Sequence, residues 1–227
     1  MNKLNIVIVG LGGVGSILSE RLCRFINFSG DMNADILLVD GDHYEAKNYE
    51  RQEFNRMGNK ADIKADELSM KFDNIVFDVY DAYINEANIA DVIKEGAIVF
   101  ICVDNHKSRM VINNYCKNLK DVTIVSGGNE LTDGNAQLYV RKGGKDLTPD
   151  LCTYHPEIAN PEDKLPDEMS CEELSVSEPQ LYFTNLGVAT FMCWLFYNAV
   201  VKEQYDRSEV YFDIRQMTSD AKIRIVK

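Results

Sequence analysis

Residues 4–16 read LNIVIVGLGGVGS and residues 36–52 read ILLVDGDHYEAKNYERQ. The first stretch opens as an uninterrupted apolar run, the pattern of a parallel strand covered on both faces. Gly10, Gly12, Gly13 and Gly15 follow as G-x-G-G-x-G. After a buried strand, such glycines permit a tight turn, bring backbone N–H groups up to a phosphate and let the next helix pack on the strand. Val14, Ile17, Leu18, Leu22, Phe25 and Ile26 then recur at helical spacing. A helix therefore starts at the glycines, and its N-terminal amides and dipole favour an anion. The second stretch is another buried strand and ends in Asp40, where an acidic side chain hydrogen-bonds ribose hydroxyls in this architecture; a cap or turn role is the alternative. Asp42 lies two residues on and fits either use. Asn48, Arg51 and Gln52 come next, and a plain dinucleotide site has no work for them.

Outward from this unit, Arg51, Arg56, Lys60 and Lys64 form a basic cluster in a chain whose net charge is −12. Guanidinium neutralises phosphate bidentately. Lys60 opens a helical stretch with Ala61, Ile63, Leu68 and Phe72 among its apolar positions. A solvated helix face is a weak alternative, because Lys60–Lys64 and Asp62–Asp66 are like-charged pairs at i,i+4. Strands are expected over 74–80, 97–103, 122–125 and 136–140, and helices over 83–94 and 108–119. The strand over 97–103 delivers Asp104 and Asn105 to its C-terminal end. Ligands of open α/β sheets bind outside such ends, so Gly10, Asp40 and Asp104 fit one site. Asp104 suits Mg²⁺ beside phosphates, or else caps the following helix.

Residues 145–178 hold four of the five prolines and many acids, and read as a crossover segment or lid. A buried helix over 181–202 and a hairpin closing around 217–220 complete the chain. The expected fold is therefore α/β: a Rossmann-like, doubly wound, mostly parallel sheet extended by antiparallel strands, with a long crossover loop. At 227 residues and 45% hydrophobic content this is one globular domain, or one domain with a sizeable insertion. The apolar run 188–201 is too short for a membrane span, and no secretory signal is apparent. The acidic balance argues against a nucleic-acid partner. The six cysteines are scattered with no C-x-x-C pair, and without a signal peptide a disulfide framework is not expected and a cytoplasmic setting fits.

Four motifs in order, GLGGVGS, LVDGDHYEAKNYERQEF, NKADIKADEL and VDNHKSR, resemble the ubiquitin-activating-like family that includes ThiF, MoeB and HesA. The resemblance covers residues 4–140 strongly and the final third loosely. It implies an ATP-dependent adenylating enzyme whose substrate is the C-terminal carboxylate, usually a Gly-Gly tail, of a small ubiquitin-like or sulfur-carrier protein. Arg51 and Lys60 would supply the cationic field on the triphosphate, with Lys64 a second candidate for the family lysine. Asp104 would hold Mg²⁺ and Asp40 the ribose, while Asn48 and Gln52 would orient phosphate or ribose oxygens. The divisions implied are an adenylation core over 1–144, a crossover lid over 145–180, and a late helix with closing strands over 181–227. A homodimer is expected. The arginine that the family draws from a helix before the first strand is expected to be missing or replaced, since that strand begins at Leu4. A cysteine of the crossover often receives the acyl group: Cys171 in MSCEEL, or Cys152 with His155 in DLCTYHPEI, with no catalytic cysteine as the third option. Three other readings stand beside this one. They are a tRNA- or peptide-modifying relative, a non-catalytic ATP-binding partner subunit, and an NAD-linked oxidoreductase that would leave Asn48, Arg51, Gln52 and Lys60 unused.

Overall fold

The computed structural model describes residues 3–49, 52, 54–169 and 181–226. Strand β1 (Leu4–Val9) runs through the glycine turn into helix α1 (Gly13–Phe28), and β2 (Ala34–Val39) returns beside β1 in parallel. A small antiparallel ladder of β3 (His43–Tyr44) and β4 (Gly58–Asn59) encloses the polar loop after β2. Helix α2 (Lys60–Ser69), β5 (Ile75–Tyr80), the short α3 (Ile89–Val92), β6 (Ile98–Ile101) and α4 (His106–Cys116) follow. Then come β7 (Val122–Asn129), β8 (Asp133–Lys142), β9 (Lys145–Asp146), α5 (Pro156–Ala159), α6 (Tyr182–Phe196), β10 (Glu209–Asp213) and β11 (Thr218–Lys222). The main sheet has the order β11-β10-β8-β7-β6-β1-β2-β5, with β9 on β8. Strands β7, β6, β1, β2 and β5 are parallel, and β8, β10 and β11 extend them antiparallel.

Both faces of β1 are buried, as its continuous apolar run requires. Ile6 and Ile8 join the core beneath α1, α2 and α6, whereas Val7 and Val9 join the one beneath α3, α4 and α5. The sheet is thus doubly wound, and the chain leaves β1 to one side for β2 and to the other for β6. Between β1 and β6 lies the topological switch point, where such sheets open a crevice at their C-terminal ends.

Three expectations from sequence change in detail. The closing hairpin turns at 214–217 rather than around 217–220, because β11 already begins at Thr218. The helix expected over 83–94 is only Ile89–Val92. Asn85 Oδ1 accepts from Ala87 N–H at 3.0 Å, Asn88 Oδ1 accepts from Asn85 N–H at 2.9 Å, and Asn88 Nδ2 donates to Tyr83 O at 2.9 Å. These side chains satisfy the backbone groups a helical turn would have used. The late helical stretch, Tyr182–Val201, is twenty residues and is long and apolar enough to cross a membrane by length and composition. Here one face of it packs on α1, β7 and β8 through Val188, Ala189, Met192, Leu195 and Phe196, while Phe183 and Trp194 are exposed.

Candidate functional site

The glycine turn is held from three directions. Gly10 has φ +87°, and a Cβ there would stand 2.9 Å from the Cys102 carbonyl oxygen, so the chain ends of β1 and β6 meet in a space only glycine fits. A Cβ on Gly15 would fall 1.9 Å from the Gly10 carbonyl oxygen, so α1 packs directly on its own turn. From β2, Asp40 Oδ2 accepts the Leu11 N–H at 2.6 Å, and the Tyr44 hydroxyl donates to Leu11 O at 3.3 Å. Asp40 Oδ1 accepts the Asp42 N–H at 2.8 Å. Asp40 is therefore both a buried brace of the turn and the acidic residue at the end of β2. Burial raises its pKa, against the opposing pull of Lys60. Helix α1 has Gly12 as its N-cap with no side-chain cap bond and no acidic residue in its first turn.

The segment after β3 folds back over this turn. Tyr44, Phe54 and Tyr49 stack with centroid separations of 4.3 and 4.2 Å, and Ile63 closes the cluster from α2. That stack seats Gln52, 5% exposed, against the glycine turn: its Nε2 would lie 3.8 Å from a Cβ on Gly12. Gln52 Oε1 is buried without a hydrogen-bond partner among the described residues. A buried amide oxygen left open is costly unless something fills it. Asn48 is buried too, but its Oδ1 accepts the Glu45 N–H at 2.9 Å and shapes the turn at 46–48. Arg51 lies outside the described residues, so its placement at the phosphates remains the reading from sequence.

The described members of the basic cluster separate. Asn59 caps α2, accepting from Ala61 and Asp62 N–H at 2.8 and 3.1 Å, and donates to Asp40 O at 2.9 Å. This ties the start of α2 to the end of β2. Lys60 Nζ consequently meets Asp42 Oδ2 at 2.9 Å. Asp42 also accepts from the Tyr83 hydroxyl, and its pKa falls below the usual carboxylate range: burial opposes the shift, and Lys60 with Tyr83 outweighs it. Lys64, one turn further, pairs with Glu67 Oε2 at 2.7 Å in an almost buried setting, and Arg56 pairs with Asp66 in solvent. Of the two lysines, Lys60 is the one beside Asp40 and Asp42.

At the end of β6 the cap belongs to Asn105, not Asp104. Asn105 Oδ1 accepts the Ser108 N–H at 2.8 Å, so Asn105 shapes α4 while Asp104 stays exposed. Asp104 is near enough to Tyr83 and Arg109 to pull the pKa of each upward, adding to burial and Asp42 at Tyr83 and opposing burial at Arg109. Tyr83 thus sits among Asp40, Asp42 and Asp104, a place that its position in an expected helix gave no sign of. Arg109, the arginine of VDNHKSR, is buried and donates through one nitrogen to Val103 O at 2.7 Å and Gly127 O at 2.8 Å. Burial lowers its pKa, and Asp104 opposes this.

Of the crossover cysteines, Cys152 is not brought into this constellation. Cys171 lies outside the described residues. Cys152 accepts from Asn113 Nδ2 at 3.3 Å, and burial with Asp150 pushes its thiol up to about 11. His155 is occupied elsewhere, with Nδ1 at 2.7 Å from Glu157 and Nε2 at 2.5 Å from Glu209, so no Cys–His pair forms.

The chain is similar to several known proteins. Ubiquitin-like modifier-activating enzyme 5 of Gallus gallus is 31% identical over 156 residues, covering 62% of this chain and 38% of that protein. Adenylyltransferase and sulfurtransferase MOCS3 of Caenorhabditis briggsae is 27% identical over 139 residues, covering 59% and 33%. This chain thus spans well under half the length of these curated relatives. Among solved structures, E. coli MccB with ATP shares the fold at a TM-score of 0.75 and 16% identity, over 97% of this chain and 64% of that one. The ThiF family model matches residues 1–220, and the chain belongs to that family.

Proposed function

We propose that this chain binds ATP and adenylates the C-terminal carboxylate of a small ubiquitin-like or sulfur-carrier protein with a Gly-Gly tail. The observation that carries this reading is the gathering of Gly12, the open Gln52 amide oxygen, Lys60 and the exposed Asp104 around the crevice at the ends of β1, β2 and β6. A hydride-transfer site has no use for the last three. The residues fit the nucleotide: the first amides of α1 carry no side-chain cap, and the space above Gly12 is one that a Cβ would begin to fill. One exposed carboxylate, Asp104, is what a Mg²⁺ arriving with phosphates needs from the protein.

ATP and its metal supply an electrophilic α-phosphorus. A tail carboxylate oxygen forms the new P–O bond while the bond to the pyrophosphate oxygen breaks, and pyrophosphate leaves with the electron pair. No proton has to move. The work of this chain is to position the reactants and to offset negative charge. Lys60, with Arg51 joining it in this reading, lowers the repulsion between the carboxylate and the triphosphate. Gln52 and the glycine amides fix the phosphates or ribose, and Asp40 keeps the glycine turn in shape while it offers the ribose a carboxylate. Transfer to Cys171, a homodimeric assembly and a cytoplasmic setting belong to the same proposal. A second reading keeps the same site and takes a peptide as the acyl donor; MccB, whose fold this chain shares, has also been solved with MccA.

Pyrophosphate exchange into ATP tests the assignment. It is expected only with the cognate carboxyl tail, and to be lost in Asp104→Ala and Arg51→Ala. Wild-type exchange that persists in full in both variants overturns it.

A further inference from the structure

Three acidic side chains within six residues fasten the crossover segment to the rim of the proposed site. Asp163 Oδ2 accepts the His106 N–H at 2.6 Å, and Asp163 Oδ1 accepts the Lys107 N–H at 2.9 Å. Glu168 Oε2 meets Lys107 Nζ at 3.1 Å, and Asp167 Oδ2 accepts from Asn85 Nδ2 at 2.7 Å. With Asn105 on Ser108 N–H, three consecutive amides that α4 cannot satisfy internally are all taken. Two of these bonds come from one residue, 57 and 56 positions away in the chain. A carboxylate held by two such amides gains both charge-assisted hydrogen bonds and the favourable end of the helix dipole.

Asp104 is separated from His106 by Asn105 alone, so whatever orients the first turn of α4 also orients Asp104. Arg109 steadies the same turn from inside through Val103 O and Gly127 O, and it feels Asp104 first and Asp163 as well among its negative neighbours. The turn that presents Asp104 is thus gripped by Arg109 on the sheet side and by Asp163 on the crossover side.

We propose that Asp163 is a positioning residue for the nucleotide site: by capping α4 it fixes the place of Asp104 and couples seating of the crossover segment to binding of metal-bound ATP. This rests on the ATP reading above. Asp163 does not touch the nucleotide itself.

Amide hydrogen exchange and calorimetric binding of ATP, with Mg²⁺ and with EDTA, test it on the full chain carrying Asp163→Ala or Asp163→Asn. Without nucleotide, Asp163→Ala is expected to speed exchange at His106 and Lys107 by about tenfold or more, the loss of roughly one net hydrogen bond at each. Affinity for Mg²⁺-ATP is expected to fall about tenfold, and that for metal-free ATP by less than about twofold. Asparagine, with one acceptor oxygen and no charge, recovers part of both effects. Unchanged amide exchange overturns the proposal. Faster exchange with unchanged Mg²⁺-ATP affinity also overturns it and leaves Asp163 a stability residue only. A wild type that binds no ATP overturns the nucleotide reading, and the coupling with it, while amide exchange still reports on the contact alone.

Discussion

Replacing Lys60 by Met removes the leading positive charge set against both Asp40 and Asp42 among the described residues. Lys60 is 9% exposed at its side chain and Asp42 is 46% exposed. An exposed ion pair is worth under about 1 kcal/mol, whereas removing one partner of a fully buried pair costs about 3–5 kcal/mol. With one partner buried and the other half in water, the expected loss is about 2 kcal/mol, near the middle once solvent screening of Asp42 is discounted. For a chain of this size that lowers Tm by about 4–8 °C. The pH dependence carries the sign. Without the lysine, the folded-state pKa of both carboxylates rises, so the folded protein must keep two uncompensated charges at neutral pH. The penalty is full there and shrinks as pH falls through the carboxylate range, where protonation relieves it. Thermal melts of wild type and variant across that range measure it. In pyrophosphate exchange the loss is larger, about 10²–10³-fold, because a cation facing developing phosphate charge acts in the transition state. Lys64→Met is the control: it breaks the Glu67 pair and costs stability, but Lys60 and not Lys64 is the lysine bonded to Asp42, so exchange stays within about threefold, the scatter of such single contacts. A Lys60 variant whose stability loss is the same at all pH, or a Lys64 variant that loses exchange while Lys60→Met keeps it, refutes the reasoning.

Gly12→Ala has room for its methyl and is expected to melt with the wild type yet bind ATP more weakly, as calorimetry would show; unchanged affinity would remove the phosphates from that turn. Gly15→Ala collides with the Gly10 carbonyl, and an overpacking cost at or above about 3 kcal/mol is expected in denaturant unfolding. His155 is held above its ordinary pKa by Glu209 and Glu157 in spite of burial, so its stabilisation is full below the unfolded-state value and is lost as pH rises through the folded one. His155→Asn should flatten the fall in Tm above about pH 6.5, and a fall of unchanged steepness would place the titration elsewhere. Cys152→Ser is expected to leave any thioester intact, because its thiol, at about 11, holds little thiolate near neutral pH; loss of a thioester band on non-reducing gels would contradict this.

Much of the fold was legible because its signals are local. The apolar runs 4–9 and 36–39, the glycines between strand and helix, and the turn chemistry at 143–144 each depend on near neighbours in the chain. The helix over 83–94 was misread because Asn85 and Asn88 satisfy backbone groups that periodicity assigns to a helix.

By itself the sequence determined the βαβ start, the order of the motifs and hence the family, since strand and helix periods and a fixed glycine spacing survive any arrangement of the rest. Tertiary structure decided what those spacings leave degenerate. Lys60 and Lys64 are one helical turn apart on the same side of α2, and only the end of β2, brought over by Asn59, assigns the first to the aspartates. Asp104 and Asn105 are adjacent and both able to cap, and the backbone at the end of β6 gives the cap to Asn105. The opening stretch 36–52 named Gln52, but the Tyr44–Phe54 stack is what buries its amide above Gly12. Asp163 reaches α4 across 57 residues, a contact set by where two cores place the chain and not by any pattern within it.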